Sequence, residues 1–523
     1  MNATSRPSLL SLAIVTCLCT SSLAAPPPVA AQKAPAKGHA AAKPKADPTE
    51  IIGVAAAGDT EGVKRLIAAK ADVNIKDSQG RTALMFAANP DCAKALIAAH
   101  ADVDAKDMLG RTALMFASNP ETVKAIVGAP ADTNARDTKG RTALIIASSH
   151  SNTNIVRTLC SLGADVNVKS NDGGTALINA AKNGAGDCVK ALIGSGANVN
   201  ARDNRGYSAL IYMTSRGNMD CVKALCDQGA DVNARSYDGK SPLMEATISG
   251  NVNCVKALCD AGAVVNTKSS RGKTPLIEAA GRGNVNCLRI FVGAGADLNA
   301  KDADGNTPLR LAIAKGNVNC VRALCDAGAN VNARYGNGKT ALMEAAAVGN
   351  LDSVKALVGA SADLNAKDPA GATALIIATR AGNPSCVKAL CDGGADPNAR
   401  TNDGRTALMF ADSAYCAKAL IAARADVKAS TNSGVTAIWL ATLHANVYCV
   451  KALADAGADV NARTSGGKTP LMAASKAGYA DCVKVLIAAR ADVNATDNAG
   501  ATALSVAKSS DIASMLRSAG ATK

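Results

Sequence analysis

The sequence repeats one phrase at nearly constant intervals over most of its length. A Gly-x-(Thr or Ser)-(Ala or Pro)-(Leu or Ile) phrase occurs fourteen times, spaced by 33 residues except for three intervals of 30. Its hydroxyl residues are Thr82, Thr112, Thr142, Thr175, Ser208, Ser241, Thr274, Thr307, Thr340, Thr373, Thr406, Thr436, Thr469 and Thr502. Such a period indicates a solenoid, because a unit of this length covers its apolar face only by stacking on a neighbour.

Each part of the unit predicts a local structure. The Thr or Ser caps a first helix, with Ala or Pro at the first helical position. The phrase that follows, as in residues 254–263, places Val255, Leu258 and Cys259 on one side of a second helix, and Gly262 ends that helix. An Asp-x-x-Gly segment then makes a tight projecting turn. The unit is therefore a helix-turn-helix followed by a turn.

These phrases resemble the ankyrin repeat, and the resemblance covers roughly residues 47–523. It implies an all-α solenoid of about fifteen helix-turn-helix units joined by projecting β-hairpin-like turns. Residues 47–75 form the opening cap and residues 502–523 the more polar end cap. The usual His after Thr-Pro-Leu of this family is absent, and Met85 and Ile178 are among its replacements. The inter-repeat hydrogen bonds of that His are therefore not expected.

The first 46 residues are predicted to lie outside the repeat domain. Residues 1–24 have a lone Arg6, a short apolar stretch and the small residues Ser22-x-Ala24, which is typical of a secretory signal peptide. Residues 25–46 are rich in Ala, Pro and Lys and predict a disordered linker. We expect an exported protein, periplasmic or extracellular and bacterial, with no transmembrane segment after signal removal.

Nothing in the sequence indicates catalysis. The four histidines, at positions 39, 100, 150 and 444, are not spaced along one helix face, and no nucleophile elbow or phosphate-binding loop occurs. The carboxylates recur in turn phrases, which explains them without chemistry. We expect no enzyme, cofactor or metal.

Cysteine is unusually frequent, and fifteen of the seventeen cysteines follow the signal segment. All fifteen occupy one of two positions in the second helix. The first column is Cys92, Cys188, Cys221, Cys254, Cys287, Cys320, Cys386, Cys416, Cys449 and Cys482; the second is Cys160, Cys226, Cys259, Cys325 and Cys391. Both are apolar positions, which favours buried reduced thiols. A ladder of disulfides or metal sites is the alternative.

The family resemblance implies recognition on the concave side, formed by turn tips and first helices. Aromatic residues are only 2% of the chain, yet three of its four Phe fall in one first-helix column. Glu245, Glu278 and Glu344 place acidic residues at the middle of that column. The predicted partner-binding residues are Phe86, Arg111, Phe116, Arg141, Tyr207, Tyr212, Lys240, Glu245, Glu278, Glu344, Phe410 and Trp439.

The three Phe belong to the 30-residue units, so their rings either fill the space left by a shorter helix or contact a partner. We expect the acidic centre to bind without affecting stability.

The predicted function is a non-enzymatic scaffold that binds a partner protein as a monomer. The formal charge of +14 and two basic columns leave an alternative, the binding of an anionic polymer or surface. One column runs from Lys64 to Lys484 in the second helices, and the other from Lys76 to Arg463 in the turns. Nucleic acid is not expected because basic and aromatic residues do not alternate. A structural spacer is a further alternative.

Overall fold

Each repeat phrase becomes a pair of short helices in the computed structural model, which describes residues 49–522. The predicted signal peptide (1–24) and linker (25–46) lie outside the described residues. Fourteen helix pairs follow one another along the chain. The first and second helices of the pairs are Glu50–Ala56 and Thr60–Ala68, Ala83–Phe86 and Pro90–Ala98, Ala113–Phe116 and Pro120–Gly128, Ala143–Ser149 and Thr153–Ser161, Ala176–Asn183 and Gly186–Gly194, Ala209–Ser215 and Met219–Asp227, Pro242–Ile248 and Val252–Asp260, Pro275–Arg282 and Val285–Gly293, Pro308–Ala314 and Val318–Asp326, Ala341–Val348 and Leu351–Gly359, Ala374–Arg380 and Pro384–Asp392, Ala407–Phe410 and Ala414–Ala422, Ala437–Leu443 and Val447–Asp455, and Pro470–Ala477 and Ala480–Ala488.

The fifteenth unit keeps only its second helix, Ser510–Ser518. Residues 503–506 form turns after Thr502, where the other units have a helix. The all-α solenoid predicted from the repeats is confirmed, and its end unit is the simplest of the fifteen.

The predicted helix caps form where the first helix is long enough. In nine of the units with a first helix, the Thr or Ser oxygen accepts the backbone N–H three residues later, as when Ile277 N–H donates to Thr274 Oγ1 at 3.3 Å. Thr82, Thr112 and Thr406 make no such bond. In these short units the first helix is a single turn, and the same N–H donates to the backbone carbonyl instead, as from Met85 N–H to Thr82 O at 3.1 Å. Thr436 also lacks the capping bond.

Small apolar side chains fill the interior between successive units. First helices contact the first helices of neighbouring units, and second helices contact second helices. In a typical unit Ala180, Val189 and Leu192 are completely buried. Phe291 is the one Phe that is fully buried. Each buried Leu contributes about 1.5–3 kcal/mol, so the array is held together by many modest contacts between neighbours.

Asparagine side chains supply hydrogen bonds between units. In this chain they take the place of the bonds that the usual His of the family would make. Asn284 Nδ2 donates to the carbonyl of Thr247 in the preceding unit at 2.9 Å, and Asn317 Nδ2 donates to Ala280 O at 2.8 Å. At the base of the turns, Asn233 Oδ1 accepts the backbone N–H of Val264 in the next unit at 2.8 Å. The Gly-Asn and Asp-Val-Asn phrases therefore join units to one another.

The projecting turns are closed hydrogen-bonded loops. In the second marked unit Asp107 N–H donates to Arg111 O at 3.1 Å, and Gly110 N–H donates to Asp107 O at 2.9 Å. Gly110 has a positive φ of 72°, which this closure requires. Neighbouring turns are linked as well, as from Thr138 N–H to Leu109 O at 2.9 Å. Between residues 49 and 522, the only β-structure is four isolated antiparallel bridges inside such turns.

No helix within the described range is both long and apolar enough to cross a lipid bilayer.

Candidate functional site

The turns and the first helices share one surface, here called the turn face. It consists of the projecting turns, residues 77–81 and their equivalents, together with the first helices that they contact. All twelve predicted partner-binding residues lie on it, and each is half-buried or buried rather than freely exposed. Their side chains make specific contacts with one another and with neighbours that the sequence did not show.

An arginine stacks on each of the three Phe residues of the short units. The guanidinium carbon of Arg111 lies 4.4 Å from the centre of the Phe116 ring, and Arg111 Nη2 lies 2.7 Å from Asp107 Oδ2. Arg81 makes the same pair of contacts with Phe86 and Asp77. Such cation–π contacts contribute about 0.5–2 kcal/mol. The rings therefore serve packing, and their half-buried state leaves part of each on the surface.

Phe410 and Arg141, two further predicted residues, make only part of this set of contacts. Arg405 lies 5.8 Å from the Phe410 ring and pairs with Asp403 at 3.1 Å. Arg141 pairs with Asp137 at 2.7 Å, in a unit that has no ring at the corresponding position. Burial works against ionisation of Asp107, yet the backbone N–H and guanidinium of Arg111 hold the pKa of that carboxyl below its usual value. Each arginine is thus fixed by a turn carboxylate.

Tyr207 and Tyr212 form an aromatic pair in the unit that follows Asn200. Their ring centres lie 5.2 Å apart. Tyr212 is 9% exposed, its hydroxyl donates to Asp203 Oδ2 at 2.8 Å, and Arg205 donates to the same hydroxyl. Burial and the hydrogen bond to Asp203 raise the pKa of Tyr212 to about 12. Tyr212 therefore supports the surface from below, which corrects its interpretation as an exposed contact residue.

The three glutamates are paired with cations and do not form a free acidic centre. Lys240 Nζ lies 3.1 Å from Glu245 Oε1, and Glu278 lies 3.3 Å from both Lys273 Nζ and Arg282 Nε. Although partial burial opposes it, Glu245 raises the pKa of Lys240. The partners of Glu245 and Glu278 lie on the preceding turn or, for Arg282, four residues later on the same helix, and the sequence did not predict these pairs. The predicted irrelevance of the glutamates to stability stays a prediction, and these ion pairs are a physical reason to expect some loss of stability when the charges are reversed.

The third glutamate belongs to a different cluster. Glu344 Oε1 lies 3.3 Å from Nε of Arg310, a residue of the preceding unit. The Arg310 guanidinium stacks on the Tyr335 ring at 4.7 Å and donates to Asn306 Oδ1 at 2.9 Å. Tyr335 is 6% exposed, and burial raises the pKa of its hydroxyl. Tyr335 begins a projecting turn and is nevertheless an interior residue.

Trp439, the one tryptophan, is half-buried on the helix Ala437–Leu443. Its indole Nε1 is buried and has no hydrogen-bond partner among the described residues. By contrast Tyr237, at the tip of its turn, is 78% exposed. Tyr237 and the apolar turn tip Met108-Leu109, 69% and 52% exposed, were not among the predicted binding residues. The sequence did contain a signal for this surface: Tyr237 and Met108 are large side chains at a turn position where most other units have a small residue.

A cavity of about 530 Å³ opens on the turn face between two adjacent units. Its charged lining consists of Asp238, Lys240, Arg271, Lys273, Glu278 and Arg282. Four of the twelve predicted residues are found here: Lys240 and Glu278 line the cavity, and Tyr207 and Glu245 lie beside Lys240. The Tyr207 ring is close enough to Lys240 and Glu245 for both charges to affect its pKa, which burial raises. This cavity is where the predicted residues are most concentrated.

The basic columns are largely occupied by contacts within the chain. In the second helices Lys64, Lys124 and Lys484 pair with acids three residues earlier. In the turns Arg400 donates to the carbonyl of Gly404 in its own unit and to that of Ser430 in the next, both at 2.8 Å. Arg235 and Arg463 likewise donate to carbonyls of the following unit. These cations join or stabilise units, which weakens the anionic-polymer alternative.

The fifteen cysteines of the described part are free thiols. The first column is buried and the second is half-buried. Burial raises the pKa of the thiols from Cys160 to Cys482 in the two columns, to about 11 for Cys320 and Cys325. Among residues 49–522 no group of three or more His, Cys, Asp or Glu side chains is placed to hold a metal ion.

Comparisons with known proteins agree with the structure. The family model described as Ankyrin repeats (3 copies) matches residues 51–137, 117–203, 180–269, 264–335, 342–431, 394–464, 412–497 and 463–523. The chain is therefore a helical repeat protein, and it belongs to the ankyrin repeat family. Among solved structures, the human ASB11 ankyrin repeat domain is similar at 29% identity and a TM-score of 0.37, covering 42% of this chain and 98% of that domain. A comparison with curated proteins finds no match.

Ankyrin repeats are generally protein–protein interaction modules and non-enzymatic scaffolds. The match of the family model confirms the family that the repeat phrases predicted.

Proposed function

We propose that this chain is a non-enzymatic scaffold that binds a partner protein on the concave side of its solenoid, which corresponds to the turn face. One observation carries the proposal: the chain has few aromatic residues, and the turn face gathers exposed Tyr237, the Tyr207–Tyr212 pair and an open cavity within three adjacent units. Aromatic and charged side chains around a cavity are typical of protein-binding surfaces.

Two exposed tyrosines allow a matched test. Tyr237 lies on the turn face and Tyr448 on a second helix, and they are 78% and 75% exposed. The full chain would be used to capture crosslinked partners from the native extract, followed by mass spectrometry. Tyr237→Ala should lose the captured partner, whereas Tyr448→Ala should retain it. Equal capture by both variants, or loss only with Tyr448→Ala, would refute binding on the turn face.

We further propose that the protein is bacterial and acts after export, in the periplasm or outside the cell, as a monomer. The support for export is the sequence of residues 1–24 and the small residues around Ala24. Sequencing the amino terminus of the native protein tests this, because export predicts a start at Ala25. A chain that retains Met1 in the cytoplasmic fraction would contradict it. Light scattering of the purified chain would test the monomer.

A further inference from the structure

We propose that the cavity between the turns of residues 236–240 and 269–273 binds a short acidic peptide segment of the partner protein, with a carboxylate at one end and an apolar side chain beside it. This inference rests on the proposed function, because it specifies what the turn face recognises. The cavity of about 530 Å³ is within the range of about 300–1,000 Å³ that encloses a small ligand. A few peptide side chains would fill it.

Positive charge is concentrated on the side of the cavity that the unit of Thr274 contributes. Arg271, Lys273 and Arg282 line that side, and Glu278 lies 3.3 Å from Lys273 and from Arg282. Arg271 is exposed and makes no ion pair or side-chain hydrogen bond within the described residues. Three cations around one carboxylate leave room for a second carboxylate, which a partner would supply.

The other side, which the preceding unit contributes, carries no excess of positive charge and is partly apolar. Lys240 lies between two acids, 3.1 Å from Glu245 and 3.5 Å from Asp238. Met244 and Ile248 add apolar side chains to the lining. The exposed ring of Tyr237 adjoins Asp238 in the sequence and the same turn. This side fits an uncharged or apolar side chain. The two sides of the cavity therefore differ in charge.

This distribution favours a peptide over a nucleic acid. A phosphodiester strand carries a charge on every nucleotide and would place several of them against Asp238 and Glu278. A peptide can alternate one carboxylate with apolar residues and can therefore contact both the positive side and the partly apolar side of the cavity. Shape and charge therefore point to an acidic peptide whose charges are separated by apolar positions.

The test uses fluorescence anisotropy with the full chain and a short fluorescein-labelled peptide of Glu, Leu and Gly. Its counterpart has Gln in place of each Glu. The Glu peptide should bind at least about tenfold more tightly than the Gln peptide, the effect of one charge-assisted hydrogen bond. Arg271→Ala should remove most of this preference.

Lys139→Ala is the matched control, because Lys139 is exposed and stands at the same position of another turn, immediately before Gly140. It should leave the affinity for the Glu peptide unchanged. Equal binding of the two peptides, or equal losses in the two variants, would overturn the inference. Tighter binding of a single-stranded oligonucleotide, also lost with Arg271→Ala, would overturn the choice of a peptide.

The inference and the proposed function fail separately. If Tyr237→Ala abolishes partner capture while the Glu and Gln peptides bind alike, the turn face is the interface and the acidic-peptide inference is wrong. If capture is unaffected by Tyr237→Ala, the proposed function itself is refuted.

Discussion

A single serine in the cysteine column allows the packing of the interior to be tested. Ser353 occupies a position where neighbouring units have Cys320 and Cys386, and all three side chains are buried. The Ser353 hydroxyl has no hydrogen-bond partner in the described residues. An unsatisfied buried hydroxyl costs about 1–3 kcal/mol, whereas a thiol behaves as a small apolar group. Ser353→Cys should therefore stabilise its unit, by about 1–2 kcal/mol once slight crowding by the larger sulfur is allowed for.

Hydrogen–deuterium exchange with mass spectrometry is the suitable assay, because a repeat array opens locally and has no single unfolding free energy. Under reducing conditions, exchange in helices Ala341–Val348 and Leu351–Gly359 should slow by about 5–30-fold. Cys320→Ser is the matched opposite change and should accelerate exchange in its own unit. If Ser353→Cys accelerated exchange instead, the hydroxyl would have a partner or the site would be too small, and the account of the column would be wrong.

Three further predictions follow from the paired charges and the thiols. Glu278→Lys places a third cation beside Lys273 and Arg282 and should destabilise its unit by about 1–2 kcal/mol, because these pairs are only partly buried; this is seen as faster exchange in Pro275–Arg282, and unchanged exchange would contradict the pairing. Because burial raises the pKa of the thiols, at pH 8 a thiol of pKa about 11 should react with a disulfide reagent roughly 100-fold more slowly than an ordinary thiol, with half-buried Cys325 modified before buried Cys320; equal rates by mass spectrometry would refute this. The pKa of Asp107 is lower folded than unfolded, so its stabilising effect is present above about pH 4 and is lost as the pH falls through the folded value; exchange around Phe116 should rise there in the parent chain, and a similar acid dependence in Asp107→Asn would argue against the Asp107–Arg111 pair.

The fold could be predicted from the sequence because its determinants are local and periodic. The spacing of Thr274 and its equivalents marks helix starts, and Gly262 and its equivalents mark helix ends. The same reasoning predicted the shorter first helix of the 30-residue units but missed the loss of the capping bond at Thr82, Thr112 and Thr406. In those units a backbone carbonyl and the capping oxygen compete for one N–H, and the shortened unit favours the carbonyl.

The candidate surface was predicted less completely, because its contacts connect residues of different elements. Glu278 looked like a free acid until the structure placed Lys273 and Arg282 against it. Arg310 reaches Tyr335 and Glu344 of the next unit, a contact between units that no single repeat encodes. Tyr212 lay in the correct column, but its hydroxyl bond to Asp203 turns it inward. The sequence predicted which residues share a column, but it did not predict the direction in which each side chain of the column points.

The most direct test of the account is a lysine-specific crosslinking map of the captured partner. Lys240 and Lys273 lie on the turn face, while Lys223 and Lys256 lie on the second helices of the two units from Ala209 to Asp260 and are exposed. The account predicts crosslinks from the partner to Lys240 and Lys273 and none to Lys223 and Lys256. Crosslinks concentrated on Lys223 and Lys256, which react at least as readily because they are more exposed, would contradict recognition by the turn face.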